Sequence, residues 1–96
     1  MFLASTTKQQ TKGLMNYTFM NGSVAGELFI DLPYPPCFWM NNTPEPLTQT
    51  WISNGTATYI YNATPESDSV VCHNGTEVLE LKKGIPIAFG DRVSKV

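Results

Sequence analysis

The residues with the clearest capacity for chemistry are six asparagines, each followed two positions later by serine or threonine. This pattern is the acceptor for N-linked glycans, which are attached to surface loops of secreted proteins. Chance would give roughly one such match at this Ser and Thr content, so the excess indicates a glycan-shielded protein matured in a secretory lumen. The predicted acceptors are Asn16, Asn21, Asn41, Asn54, Asn62 and Asn74.

The two cysteines offer a second kind of chemistry. In a sequon-rich chain, Cys37 and Cys72 predict one disulfide. The loop of about 35 residues would stabilise the fold by roughly 3.8 kcal/mol in the chain-entropy model. Free thiols, or bonds to cysteines outside this sequence, are the alternatives. His73 beside Cys72 does not predict a metal site, because zinc takes at least three protein ligands.

The carboxylates suggest no reaction. Asp31, Glu45, Glu66 and Asp68 are not brought to a defined separation by any pattern, and general acid–base chemistry needs positioned groups. We expect these side chains to be solvated. The sequence therefore predicts neither an enzyme nor a cofactor.

Aromatic residues form the last candidate group. Trp39, Trp51, Tyr59 and Tyr61, together with Phe38, predict a small core closed by the disulfide. An exposed recognition patch is the functional alternative, because Trp and Tyr are favoured at binding hot spots. Trp39 lies two residues after Cys37, so we expect it to pack on the sulfur bridge.

Composition limits the partners. The 96 residues carry a net charge of −2 and only 15% charged side chains, and Lys82-Lys83 is the only basic pair. Nucleic-acid binding needs clustered basic residues, so nucleic acid is not a predicted partner. There is no run of 18 apolar residues, so direct membrane insertion is not predicted either.

The elements that would position these residues are predicted to be strands. Asn-Gly between runs rich in β-branched and aromatic residues is a strong hairpin signal, and it occurs at 21–22, 54–55 and 74–75. No helix is convincing, since Gly13 interrupts the best candidate and no cap is evident. We therefore expect an all-β fold, a small antiparallel meander or sandwich-like domain, complete or part of a larger one. The predicted strands are 14–20 with 23–30, 48–53 with 56–61, 69–73 with 76–81, and a last edge strand at 85–89.

The predicted boundaries follow from this pattern. Residues 1–13 are expected to be a flexible N-terminal segment, 14–90 the β-rich glycoprotein domain, and 91–96 a flexible tail. The apolar stretch after Met1 is too short for a signal peptide. We expect a secreted, virion or cell-surface protein if a signal lies upstream, and a cytoplasmic one if translation starts at Met1.

One stretch resembles a known family. At residues 26–39 an apolar strand runs into Tyr34-Pro35-Pro36 and then Cys37, with sequons nearby. This is similar to the surface subunit of betaretrovirus-type envelope glycoproteins, especially endogenous retrovirus K envelopes. The family has a spacer before its cysteine and a second cysteine soon after, which this chain lacks.

The resemblance implies part of a glycan-shielded envelope subunit that attaches to a receptor. Its partners would be a host cell-surface receptor and a membrane-anchored fusion subunit. An endogenous remnant without retained activity is a variant of this hypothesis. The alternative is a viral or host immunoglobulin-like surface glycoprotein, because Trp51 follows Cys37 at a suitable spacing, although Val70 stands where a tyrosine corner would be expected.

Overall fold

The computed structural model describes residues 1–17 and 25–93. Its order is strand, helix and then six strands. The elements are β1 Phe2–Ala4, α1 Thr7–Lys12, β2 Gly26–Phe29, β3 Cys37–Phe38, β4 Leu47–Ser53, β5 Thr56–Ala63, β6 Val71–Cys72 and β7 Glu77–Lys82.

Five strands form one sheet in the order β1-β2-β7-β4-β5, and β3 pairs with β6 in a separate two-stranded ribbon. All pairings are antiparallel except β1 with β2. The predicted all-β class is therefore confirmed, and the sheet is mixed rather than a pure antiparallel meander. Within the described part of the chain, no helix has the length and apolar character needed to cross a bilayer.

Side chains alternate between the two sides of each strand, so the large sheet has two faces. Each face buries a core. We call the side under α1 and the ribbon the helix face; it carries the apolar groups around Phe29 and Trp51 and around Leu14 and Leu47. The other side is the loop face, which is covered by residues of the 85–93 segment. Its core consists of Leu28, Ile52, Leu79 and Leu81.

The hairpin at Asn54-Gly55 is confirmed. These two residues alone connect β4 and β5, and both have positive φ, 51° and 73°. A type I′ turn requires that conformation, which Asn and Gly adopt at low cost. The register breaks between Trp51 and Ile52, where β4 carries a bulge.

The prediction of a hairpin at Asn74-Gly75 is wrong. β6 pairs with β3, and β7 lies between β2 and β4. Gly75 packs instead on Ile52, with the position of a Cβ only 3.2 Å from the Ile52 carbonyl oxygen. The Asn-Gly signal reports local turn preference and says nothing of which strand is the long-range partner. The third predicted hairpin turn, at 21–22, lies outside the described residues.

The N-terminal segment 1–13, expected to be flexible, contains β1 and α1. The helix begins with a capping box: the Thr6 hydroxyl accepts from the Gln9 amide at 3.2 Å, and the Gln9 side chain accepts from the Thr6 amide at 3.1 Å. This pairing satisfies two donors that a helix start leaves unpaired. The cap was present in the sequence as Thr-X-X-Gln and was overlooked.

Residues 85–89 do not form the predicted edge strand. They lie in the loop that covers the loop face, where Ile85 and Ile87 pack on the core. The strand β5 is instead bridged by Arg92, opposite Thr56. The last three residues, 94–96, lie outside the described part of the chain.

The disulfide joins Cys37 and Cys72, which are direct cross-strand partners in the ribbon, with their Cα atoms 4.1 Å apart. The predicted pairing is confirmed. The ribbon is also tied to the sheet, because the Trp51 indole N–H donates to the Pro36 carbonyl at 3.0 Å. Phe38 packs edge-on against Phe29, with ring centres 4.7 Å apart.

Candidate ligand-binding site

Three polar side chains lie side by side in the middle of the helix face. Glu80 on β7 is the cross-strand partner of both Glu27 on β2 and Gln49 on β4. Each is at most 6% exposed. Because partners in a sheet share a face, the three form one row across neighbouring strands. We call Glu27, Gln49 and Glu80 the polar row.

Glu80 is held by an amide. The Gln49 Nε2 donates to Glu80 Oε2 at 2.8 Å, and the same nitrogen lies 3.8 Å from the Met40 sulfur. Burial raises the pKa of Glu80 to about 7, an effect opposed by the Gln49 hydrogen bond and reinforced by the neighbouring Glu27 carboxyl. Near neutral pH this group can therefore either donate or accept a hydrogen bond.

Glu27 is incompletely satisfied. Its Oε1 is buried and has no hydrogen-bond partner. Burial raises the pKa of Glu27, and the positive charge of Lys12 on α1 opposes that rise. Buried polar atoms normally find partners, so an unpartnered carboxyl oxygen calls for an explanation beyond packing.

A cleft of about 330 Å³ opens between α1 and the ribbon and reaches Glu80. The position that a Cβ on Gly13 would take lies 3.8 Å from Glu80 Oε1, so this oxygen faces the turn at the end of α1. The volume falls in the range of small-molecule sites. Its walls are mainly apolar and aromatic, with hydroxyl, amide and amino groups contributed by α1. The lining consists of Thr7, Gln10, Thr11, Lys12, Gly13, Leu14, Met15, Phe29, Leu32, Pro33, Cys37, Phe38, Trp39, Thr43 and Glu80.

Two further clefts are present among the described residues. One of about 300 Å³ lies on the other side of the Lys12–Leu14 turn and is lined in part by Glu27. Glu80 thus lines one cleft and Glu27 the other, and the Lys12–Leu14 turn lines both. The other, about 680 Å³, lies on the loop face and has apolar walls with Asp91 and Arg92.

The predicted aromatic patch is divided by the structure. Trp51 is fully buried between Phe38 and Tyr59, so it belongs to the core and not to a surface. Tyr59 and Tyr61 are half-buried, whereas Trp39 is 45% exposed at the rim of the cleft. Trp51 is therefore a core residue, and of the four only Trp39 is exposed, as a recognition patch would require.

The sequons are spread over the surface. Asn16, Asn54, Asn62 and Asn74 are exposed and Asn41 is half-buried, while Asn21 lies outside the described residues. Asn16 and Asn54 have positive φ, as expected at turns. Occupancy of these acceptors remains a prediction.

The residues weighed for other chemistry do not converge. Asp31, Glu66 and Asp68 are exposed and Glu45 is half-buried. The His73 ring stacks on Tyr59 with centroids 4.2 Å apart. Among residues 1–17 and 25–93, no three His, Cys, Asp or Glu side chains are grouped to hold a metal ion.

The polar row was missed by the sequence analysis, although a signal existed. Glu80 lies between Leu79 and Leu81, and Glu27 precedes Leu28-Phe29-Ile30. A carboxylate inside an apolar strand run is unusual, because such groups are rarely buried without a partner. The alternation of residues 76–81 carries the same signal, because Glu80 shares a strand face with the apolar Val78.

Together, the fold and this site define a small mixed-sheet domain with a cleft over a buried carboxyl pair. The family comparison is consistent with a compact domain of this size, because a single family model matches residues 1–94. The chain belongs to that family, DUF192, whose description reads "Uncharacterized ACR, COG1430". No curated protein matches the chain.

Two solved bacterial structures are similar. One, from Sinorhizobium meliloti 1021, is described provisionally as a transcription regulator; it is 32% identical, with a TM-score of 0.80, over 94% of this chain and 76% of that one. The other, from Novosphingobium aromaticivorans DSM 12444, is a protein of unknown function that is 29% identical, with a TM-score of 0.84. It matches over 97% of this chain and 72% of its own.

These findings overturn the envelope hypothesis. The Tyr34-Pro35-Pro36-Cys37 stretch matched a retroviral surface subunit over about 14 residues, whereas the DUF192 family matches nearly the whole chain. The immunoglobulin-like alternative is wrong as well. Its disulfide would join two packed sheets, but Cys37 and Cys72 pair within one ribbon. The receptor and the fusion subunit were inferred from the resemblance and lose their basis with it.

Proposed function

We propose that this chain is a small-molecule-binding domain whose ligand occupies the cleft between α1 and the ribbon, with Glu80 at its base. The observation that carries the proposal is a buried carboxyl at the base of an apolar, aromatic-lined cleft of ligand size. Pockets that combine apolar walls with a few fixed polar groups are typical binding sites.

The polar groups around the cleft support binding by Glu80 rather than by its neighbours. The Gln10 amide donates to the Ile30 carbonyl at 2.7 Å, and the Thr11 hydroxyl donates to the Thr7 carbonyl at 2.8 Å. These side chains are engaged within the protein. Glu80 Oε2 is bonded to Gln49, while Oε1 faces the Gly13 turn.

Binding, rather than catalysis, is the role that we propose. Proton transfer by Glu80 would need a substrate proton held within hydrogen-bond reach of its carboxyl. The Thr11 hydroxyl and the Gln10 amide, which line the cleft, already make the internal bonds described above. We therefore keep the expectation that the chain is not an enzyme.

The description of the Sinorhizobium protein raises a regulatory role. Direct contact with nucleic acid is not favoured here, because the chain has six Lys and Arg residues and a net charge of −2. A regulator could instead respond to a small ligand, and a ligand cleft is compatible with such a role.

The proposal can be tested by screening fragments against the isotopically labelled protein and following backbone amide shifts. We expect at least one fragment to shift Gly13, Phe29 and Phe38 together. Trp39→Ala should weaken its binding by about threefold or more, since a wall of the cleft is lost.

The matched control is Phe89→Ala. Phe89 is 77% exposed and does not line the cleft, so its loss should leave binding unchanged. The proposal fails if no fragment shifts the cleft amides, or if all binders map to the loop-face cleft.

A further inference from the structure

The charge balance around the cleft points to the kind of ligand. Two residues with carboxyl groups are direct cross-strand partners in the polar row, Glu27 from β2 and Glu80 from β7. From β4 the row receives only the neutral Gln49 amide, and from α1 the charge of Lys12 acts on Glu27. Tyr17 lines the smaller cleft beside Glu27. With both carboxyls ionised, one lysine leaves one negative charge unbalanced.

The unpartnered Glu27 oxygen is an independent observation that also favours a ligand with a positive charge or a hydrogen-bond donor. Glu27 is 6% exposed and its Oε1 lacks a hydrogen-bond donor within the protein. A donor or a positive charge that reached the carboxyl pair would relieve the cost of this burial. Glu80 lines the cleft of about 330 Å³ and Glu27 the cleft of about 300 Å³, and the Lys12–Leu14 turn lines both.

The walls suit an organic cation rather than a bare ion. Phe29 and Phe38 meet edge to face, with an interplanar angle of 81°, and both line the cleft with Trp39. Aromatic rings attract ammonium groups through their negative faces, and attraction grows when the cation is desolvated. The described residues near the cleft show no group of three metal-ligating side chains.

We propose that the cleft binds compact organic monocations, with the ammonium group directed to Glu80, to which the neighbouring Glu27 adds negative charge, and the apolar body against the aromatic wall. This inference rests on the proposed function. It adds the ligand class, which the presence of a cleft alone does not specify.

Benzylamine is a suitable probe, with benzyl alcohol and benzoate as neutral and anionic compounds of the same ring. Titrations followed by amide shifts between pH 5.5 and 8.5 should show benzylamine binding most tightly at high pH. Its affinity should rise by about tenfold or more as Glu80 ionises, because only the ionised carboxylate attracts the cation. Benzyl alcohol should show no such rise.

Three variants separate charge from structure. Glu80→Gln should abolish the pH dependence and weaken benzylamine binding at pH 8.5 by about tenfold. Glu27→Gln should weaken it by a smaller factor and provides a second reading should the first variant fold poorly. Asp68→Asn removes an exposed carboxylate and should change nothing.

The outcomes are distinguishable. Tighter binding of benzoate or benzyl alcohol than of benzylamine at pH 8.5 would overturn the inference, as would pH-independent binding of benzylamine or no benzylamine binding at all. In each case a different fragment in the cleft would leave the proposed function standing. An empty cleft in the fragment screen would remove both.

Discussion

The two faces of the large sheet are made from the same strands but bury different chemistry. On the loop face, β2, β4 and β7 contribute Leu28, Ile52 and Leu79 to an apolar core. On the helix face, the same strands contribute Glu27, Gln49 and Glu80. Adjacent residues of β2 and of β7 thus go to an ordinary core and to a buried polar row, and in β4 the two residues are three positions apart.

The helix face is therefore not optimised for stability alone. The polar row separates two apolar groups on one face, with Leu47 on one side of Gln49 and Trp51 on the other. Apolar side chains at these positions would complete a continuous core. Buried polar rows cost free energy, and proteins depart from such local rules mainly at functional sites.

The largest expected effect is on the loop face. Ile52 is fully buried there, so Ile52→Ala should lower the free energy of unfolding by about 2–5 kcal/mol through lost burial and an unfilled cavity. Urea unfolding at pH 5 and pH 8 should give the same loss, since no titratable group is removed. Ile85→Ala, at a half-buried position over the same core, should cost less. A loss that differs between the two pH values would contradict the separation of the faces.

The next effect is on the helix face and depends on pH. The pKa of Glu80 is raised to about 7 in the folded state from 4.5. Between these values the folded protein holds a proton that the unfolded chain has lost, so stability falls as pH rises from 4.5 through 7. The loss should level off above pH 7 at about 3 kcal/mol. Glu80→Gln should remove this loss and be more stable than the native protein at pH 8.

Asp68→Asn is the matched control, because it removes an exposed carboxylate from a loop. It should leave the slope of stability against pH as it is in the native chain. If Glu80→Gln kept the native slope, the carboxyl responsible would have to be another one, with Glu27 the first to examine.

The sequence predicted local features well and partners poorly. Asn54-Gly55 specified its turn because the required positive φ is a property of those two residues. The disulfide followed from there being only two cysteines. Asn74-Gly75 has the same local signal, yet β7 pairs with β2 and β4, since long-range pairing depends on which strand buries Leu79 and Glu80.

The candidate site could be predicted only in part. Glu80 within an apolar run indicated a buried carboxyl, but its neighbours come from positions 27 and 49, and only the sheet register brings them together. The cleft depends on α1, whose capping box was legible in the sequence. The functional hypothesis was wrong for a different reason. It rested on a resemblance over about 14 residues, whereas the family match covers residues 1–94.

The smallest effect returns to the loop face and tests whether every buried polar group there is a functional signal. Thr50 is fully buried opposite Leu79, and its hydroxyl has no hydrogen-bond partner. Valine has nearly the same shape and removes the unpaired hydroxyl, so Thr50→Val should stabilise the fold by about 1 kcal/mol. Thr58→Val is the control, because the Thr58 hydroxyl donates to the Trp51 carbonyl at 3.3 Å and its loss should not stabilise. Equal urea midpoints for native protein and Thr50→Val would mean that the hydroxyl is satisfied in solution. Among the described residues, the Glu27 carboxyl oxygen would then be the only buried polar side-chain atom without a partner, and it lies on the helix face. That result would strengthen the assignment of the site to the helix face.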